Sequence, residues 1–295
     1  MFRRLLCILV VLAFSPGSFA NVNVVVTIKP LQLIAQSIIG DAGSVKVLMA
    51  PGNSPHHYSL SPSDRIAMES ADLIVYVGEE LETQLDSVMG QIGSRKNVLK
   101  LLDLETLVKI PLDGDGPAAQ HQRYNPHIWL NSNNGIIIAE AIRDRLIKID
   151  SAKAAEYSNN FSHFSNRLVN LEEQWHSRLL SASTGPYVVY HDAFSYFESQ
   201  FGLGHGLALV VDPEIQPGIR QILNVRKEIS AIQPVCIFTD VSASEATINT
   251  MLSGYQLNSV QLDLLGKNLG ETQGYEQLLD NLVSDFINCF QARSH

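Results

Sequence analysis

The order of apolar segments along the 295-residue chain predicts an α/β protein of two lobes, each a mainly parallel sheet flanked by helices. Three observations carry that prediction. Runs rich in β-branched residues alternate with helically spaced apolar runs, the alternation halts at a long amphipathic stretch mid-chain, and it restarts after Gly185-Pro186. In the first half, residues 22–28, 45–49 and 73–77 read as strands, and residues 31–39, 63–70 and about 80–89 as helices. In the second half, 187–190, 208–211, 235–238 and 260–262 read as strands, with helices over 193–201 and 275–291.

Between the halves, Tyr157, Phe161, Phe164, Leu168, Leu171, Trp175 and Leu179 recur at steps of three and four, and no Pro or Gly interrupts residues 151–183. A helix of about 30 residues would span roughly 45 Å. Periodicity alone does not choose between a spine bridging two lobes and a long core helix inside one. The expected division is a leader over 1–20, a lobe over 21–148, the long helix within 149–183 and a second lobe over 184–295. Residues 112–125, rich in Gly, Pro, Asp and Gln, read as an exposed loop.

The first twenty residues have a three-part pattern: Arg3 and Arg4, an apolar run from Leu5 to Phe14, and small residues at Ser18 and Ala20. That pattern predicts a secretory signal cleaved after Ala20; the run is shorter than the roughly 20 residues a membrane-spanning helix needs. The alternative is a retained anchor. Cleavage would leave 19 basic against 30 acidic residues, a formal charge of −11, which argues against nucleic acid as a partner. Cys236 and Cys289 would remain, an even count that favours one disulfide in an oxidising compartment over two buried thiols.

Histidines at strand ends are the candidate chemistry. His56 and His57 follow the second strand, His127 follows the exposed loop, and His191 directly follows the strand 187–190. Neutral imidazole is a favoured Zn²⁺ ligand, and four-coordinate sites are the norm. A lone strand-end histidine is more often an ordinary one, however, and spacing does not select a trio. His163 and His176 suit the polar face of the long helix, His205 a turn, and His121 and His295 solvent.

A family resemblance makes the selection. The run Asn53-Ser54-Pro55-His56-His57-Tyr58-Ser59-Leu60-Ser61-Pro62-Ser63-Asp64 resembles the first ligand motif of the zinc-specific solute-binding proteins of bacterial ABC importers. Asn125-Pro126-His127-Ile128-Trp129-Leu130 resembles their second motif, and His191-Asp192-Ala193-Phe194-Ser195-Tyr196-Phe197 their third. Asp212-Pro213-Glu214-Ile215-Gln216-Pro217-Gly218 is similar to a run in the periplasmic ZnuA branch. The resemblance implies His56, His127 and His191 as metal ligands, and places Asp263 where relatives carry a carboxylate ligand, with water as the alternative. It further implies two lobes joined by one long helix with metal in the cleft, a disulfide between Cys236 and Cys289, periplasmic location, and a membrane permease as partner to a monomeric receptor. The sequence departs from the family pattern twice. Pro55 stands where some relatives have Glu, and the loop over 112–125 is short and holds only His121 where many relatives have a His-rich one.

Three nitrogens with at most one carboxylate favour Zn²⁺ over Mn²⁺, a harder ion served by oxygen donors. Binding needs neutral imidazoles, so affinity should fall as pH drops through about 6. The rival functions are a manganese receptor, a zinc hydrolase, an adhesin and a storage protein. No H-E-x-x-H, G-x-S-x-G or P-loop is present, and Glu214 is the nearest candidate for a general base.

Overall fold

The computed structural model describes residues 21–93, 97–112, 124–182, 185–213 and 215–291. The expected signal segment, most of the 112–125 loop, and His121, Glu214 and His295 lie outside them.

Two four-stranded sheets, all parallel, form the frame. The first has the order β2-β1-β3-β4, from β1 (Val22–Val26), β2 (Gly43–Val47), β3 (Leu73–Tyr76) and β4 (Asn97–Lys100). The second repeats that order as β6-β5-β7-β8, from β5 (Tyr187–His191), β6 (Leu207–Val210), β7 (Cys236–Thr239) and β8 (Asn258–Gln261). Strands β3, β5 and β7 are buried at every residue. This is why they read as continuous apolar runs rather than alternating ones: a parallel sheet is covered on both faces.

Nine helices occur among the described residues: α1 (Lys29–Ile39), α2 (Pro62–Ser70), α3 (Asp86–Gly93), α4 (Ser132–Ile149), α5 (Ala154–Ser181), α6 (Ser195–Phe201), α7 (Ile219–Ile232), α8 (Glu245–Met251) and α9 (Tyr275–Gln291). The long helix is present. A 3-10 turn over Ser151–Lys153 leads into α5, whose buried stripe is Tyr157, Phe164, Leu168, Trp175 and Leu179. It packs on α1 and α4 of the first half and on α9 of the second. Trp175 Nε1 and Arg178 Nη1 both donate to Asp280 on α9, at 2.9 and 2.5 Å. One continuous apolar core includes residues of both sheets and α5, so this helix is a spine shared by two lobes. No described helix is long and apolar enough to cross a membrane.

Where the reading and the fold differ, the causes are local. The helix expected over 80–89 starts only at Asp86, because residues 77–85 turn around the buried carboxylate of Glu82. Strand β4 and helices α4, α7 and α8 are present where the apolar pattern predicts no element. The start of α4, Ser-Asn-Asn-Gly-Ile-Ile-Ile, has turn residues followed by a β-branched run; capping by Asn131 and packing against α5 override that preference.

Candidate metal centre

His191, His56 and Asp263 sit at carboxyl ends of strands or in the segments beyond them, and His127 sits in the segment before α4. His191 ends β5, and its register partner is Val210 at the end of β6. His56 lies in a 3-10 turn, Pro55–His57, beyond β2. The rest of its motif is scaffolding. Ser61 caps α2 in a capping box with Asp64, and the Tyr58 hydroxyl donates to the same Asp64 carboxylate at 2.5 Å. Those bonds shorten and stiffen the loop that presents His56. His127 precedes the 3-10 turn Ile128–Leu130, which leads into α4. This third segment is locked to the second lobe: Trp129 Nε1 donates to Leu264 O at 2.9 Å, and the Tyr275 hydroxyl donates to Trp129 O at 2.5 Å.

The three imidazoles converge. One ligand atom from each of His56, His127 and His191 lies within 4.8 Å of the others. Ring centroids are 5.1 Å apart for His127 and His191, and 5.5 and 5.8 Å from His56 to those two. His127 Nε2 and His191 Nε2 are 3.3 Å apart. Four ligands in a tetrahedron around Zn²⁺, with Zn–N of 2.0–2.1 Å, stand about 3.3 Å from one another. That donor set and spacing fit Zn²⁺ without rearrangement of the two buried rings. Besides the three histidines, the cavity is lined by apolar Trp129, Leu264 and Leu265 and polar Ser54, Asp240 and Ser242. His127 and His191 are buried; His56 is partly exposed and forms the rim.

Electrostatics keep the cluster ready to bind a cation. Burial, and then the neighbouring imidazoles of His191 and His56, hold His127 well below the usual histidine range, so it is a neutral donor at neutral pH. A buried carboxylate that the sequence reading missed stands behind His191: Asp240 Oδ2 is 3.0 Å from His191 Nδ1. Burial works against its charge. His191 and the N–H and hydroxyl of Ser242 outweigh that and hold Asp240 at about 2. Asp240 directly follows β7, so a search of strand ends that included carboxylates as well as histidines would have found it.

Asp263 is not in the cluster. Its two oxygens accept the backbone N–H groups of Lys267 and Asn268 at 2.8 and 2.7 Å, closing a turn that passes through Gly266 at φ +71°. A carboxylate four and five residues before two backbone N–H groups accepts one on each oxygen within its own loop. His163 and His176 are exposed on α5, and His205 lies at a turn with Nδ1 2.6 Å from the buried Glu198. His57 ends the same 3-10 turn as His56. Cys236 on β7 and Cys289 on α9 form a disulfide, with Cα atoms 6.0 Å apart.

Three converging imidazoles, two of them buried and one backed by a carboxylate, between two parallel α/β lobes that share a helical spine mark a metal-binding protein. Residues 24–289 match the family model described as zinc-uptake complex component A, periplasmic (ZnuA), and the chain belongs to that family. The members are components of an uptake complex, not enzymes. A high-affinity zinc uptake system protein ZnuA of Yersinia pestis is 30% identical over 94% of this chain and 94% of its own. The protein of the same name from Brucella abortus is 29% identical over 90% and 91%. Among solved structures, the periplasmic zinc-binding protein TroA from Treponema pallidum superposes with a TM-score of 0.79 at 20% identity, over 92% of this chain and 99% of that one. A laminin-binding adhesin of Streptococcus agalactiae does so with 0.74 at 22%, over 91% and 98%. At those identities the structural likeness speaks for the fold.

Proposed function

We propose that the protein captures Zn²⁺ at His56, His127 and His191 in the periplasm and passes it to the membrane permease of an ABC-type uptake complex. The observation that carries this reading is the 3.3 Å separation of the His127 and His191 Nε2 atoms inside the three-imidazole cluster. Two rigid donors already stand at a tetrahedral edge, and His56 on the exposed rim supplies the third bond as the ion enters. The fourth position is left to water or to Asp263, whose two carboxylate oxygens each accept one backbone N–H in their own turn and keep a second lone pair.

A donor set of imidazole nitrogen favours Zn²⁺ over Mn²⁺. The division of ligands supports capture and release. His191 belongs to the second lobe, His56 to the first, and His127 to a segment held by both. Separation of the lobes would therefore dismantle the site. The expected leader over residues 1–20 fits export, and we take the receptor to act as a monomer with its lobes over 21–148 and 184–295.

Competitive titration of metal-stripped protein against a chromophoric chelator tests the reading. One tight equivalent of Zn²⁺ with weak Mn²⁺ binding is expected. A preference for Mn²⁺, or the absence of a tight site, would overturn it.

A further inference from the structure

The side-chain amide of Asn125 is buried and can be oriented without ambiguity. Its Nδ2 faces the carbonyl of Asp192 at 2.8 Å, which only accepts. Its Oδ1 faces the backbone N–H of His127 at 3.0 Å, which only donates. Oδ1 is therefore the atom 2.9 Å from His127 Nδ1. An amide oxygen cannot donate, so His127 Nδ1 carries the ring proton and Nε2 presents a lone pair.

The same logic holds across the cleft by a different device. Asp240 Oδ1 accepts the N–H and hydroxyl of Ser242 at 2.7 and 2.5 Å, which fixes the carboxylate and leaves Oδ2 turned to His191. His191 Nδ1 and Asp240 Oδ2 are 3.0 Å apart, and neither atom has a hydrogen-bond partner elsewhere. A carboxylate accepts only, so Asp240 favours the proton on Nδ1, which leaves the lone pair on Nε2. The two Nε2 atoms lie 3.3 Å apart, within hydrogen-bonding distance, and with both ring protons on Nδ1 that contact holds no proton, which leaves both Nε2 lone pairs to a cation.

On the reading of the trio as a Zn²⁺ site, we propose that Asn125 and Asp240 are positioning residues that hold His127 and His191 in the Nδ1–H tautomer, one through a neutral amide and the other through a carboxylate. The two partners have separate consequences. Asp240 brings a negative charge behind His191, raises its donor strength and offsets part of the charge of the ion. Asn125 adds a mechanical link, because one amide holds the His127 ring and the backbone beside His191. The two buried ligands are thus set as a pair.

Long-range ¹H–¹⁵N NMR of the metal-free protein reads the tautomers directly and depends on no variant folding. Both rings are expected as Nδ1–H at neutral pH; an Nε2–H tautomer at either ring would overturn the proposal. Asp240→Ala should release His191 into a tautomer mixture and weaken Zn²⁺ binding about 10–100-fold. The Co²⁺ absorption spectrum should keep its coordination number; a change in it would make Asp240 a direct ligand and refute the positioning role. Asn125→Leu should release His127, while Asn125→Asp, which retains an acceptor at that position, should keep its tautomer. Unchanged tautomers in Asp240→Ala and Asn125→Leu would also overturn it. Wild-type protein with both rings as Nδ1–H and no tight Zn²⁺ binding would instead sink the zinc reading on which the proposal rests.

Discussion

Replacing Cys236 and Cys289 together by alanine removes a cross-link between β7, an interior strand of the second sheet, and α9, the helix that α5 packs against. The two cysteines are 53 residues apart in sequence. In the chain-entropy account, opening a loop of that size returns about 14 cal/mol/K to the unfolded ensemble, or about 4 kcal/mol at 25 °C. Both side chains are buried, so trimming them to alanine adds a small cavity term in the same direction. For a chain of this size 1 kcal/mol corresponds to a shift in Tm of about 2–4 °C, so the variant should melt about 8–16 °C lower. The assay is equilibrium urea unfolding of metal-stripped wild type and variant, with zinc titration of each well below the transition. Stoichiometry should remain at one Zn²⁺, because β7 still pairs with β5 and β8 along its length and Asp240 still follows it. A stability loss below about 1 kcal/mol would refute the entropic reasoning, and loss of the zinc site in a folded variant would show that the cross-link positions the ligands.

Three further outcomes follow from particular contacts. His127→Ala and His191→Ala should each weaken Zn²⁺ binding severely in the same chelator titration, whereas His163→Ala, on the exposed face of α5, should leave it unchanged. Gly135→Ala should destabilise although alanine is the better helix former: a Cβ there would lie 2.5 Å from the ring of buried Tyr275, whose hydroxyl holds Trp129. Overpacking of about 1–3 kcal/mol outweighs a propensity gain of about 1 kcal/mol, and a thermal melt showing stabilisation would refute this. Burial pushes Glu82 up to about 7, so its contribution is fully present below the ordinary carboxyl range and is lost as pH rises through 7. The loss is about 3 kcal/mol at most, and Glu82→Gln should flatten the slope of urea midpoints between pH 5 and 7 whatever its absolute stability.

The sequence made the frame legible wherever burial on both faces produced uninterrupted apolar runs, as in β3, β5 and β7, or where one stripe ran for many turns, as in α5. It was least legible where tertiary contacts decide against local preference. Helix α4 opens on turn residues and isoleucines, and β4 has only four residues, one of them buried. The trio of histidines was legible only through the motifs around them. Strand ends narrowed nine histidines to a few, but bringing His56, His127 and His191 within 4.8 Å needs a strand end and two further segments from both lobes, a fact of topology and not of spacing. Asp263 and Asp240 show the same limit. Both are aspartates at or near strand ends, and backbone N–H groups in its own turn occupy one while His191 faces the other.

The repeated strand order explains why the site is lopsided. In β2-β1-β3-β4 the direction of winding reverses between β1 and β3, and in β6-β5-β7-β8 between β5 and β7. Open parallel sheets bind ligands in the crevice beyond those reversal points. In the second lobe that crevice is in use: His191 ends β5, Asp240 follows β7, and the two meet 3.0 Å apart. In the first lobe the equivalent crevice is filled. Glu82 enters it and accepts the Thr27 hydroxyl just beyond β1 and the N–H groups of Val77 and Gly78 just beyond β3, at 2.5, 3.2 and 2.9 Å. With that crevice closed by its own side chain, the first lobe contributes to the metal centre from its edge instead, through the loop after β2 that carries His56. One lobe thus offers a buried, electrostatically backed half-site and the other a partly exposed ligand on a loop, the division expected of a site that must form on capture and come apart on delivery.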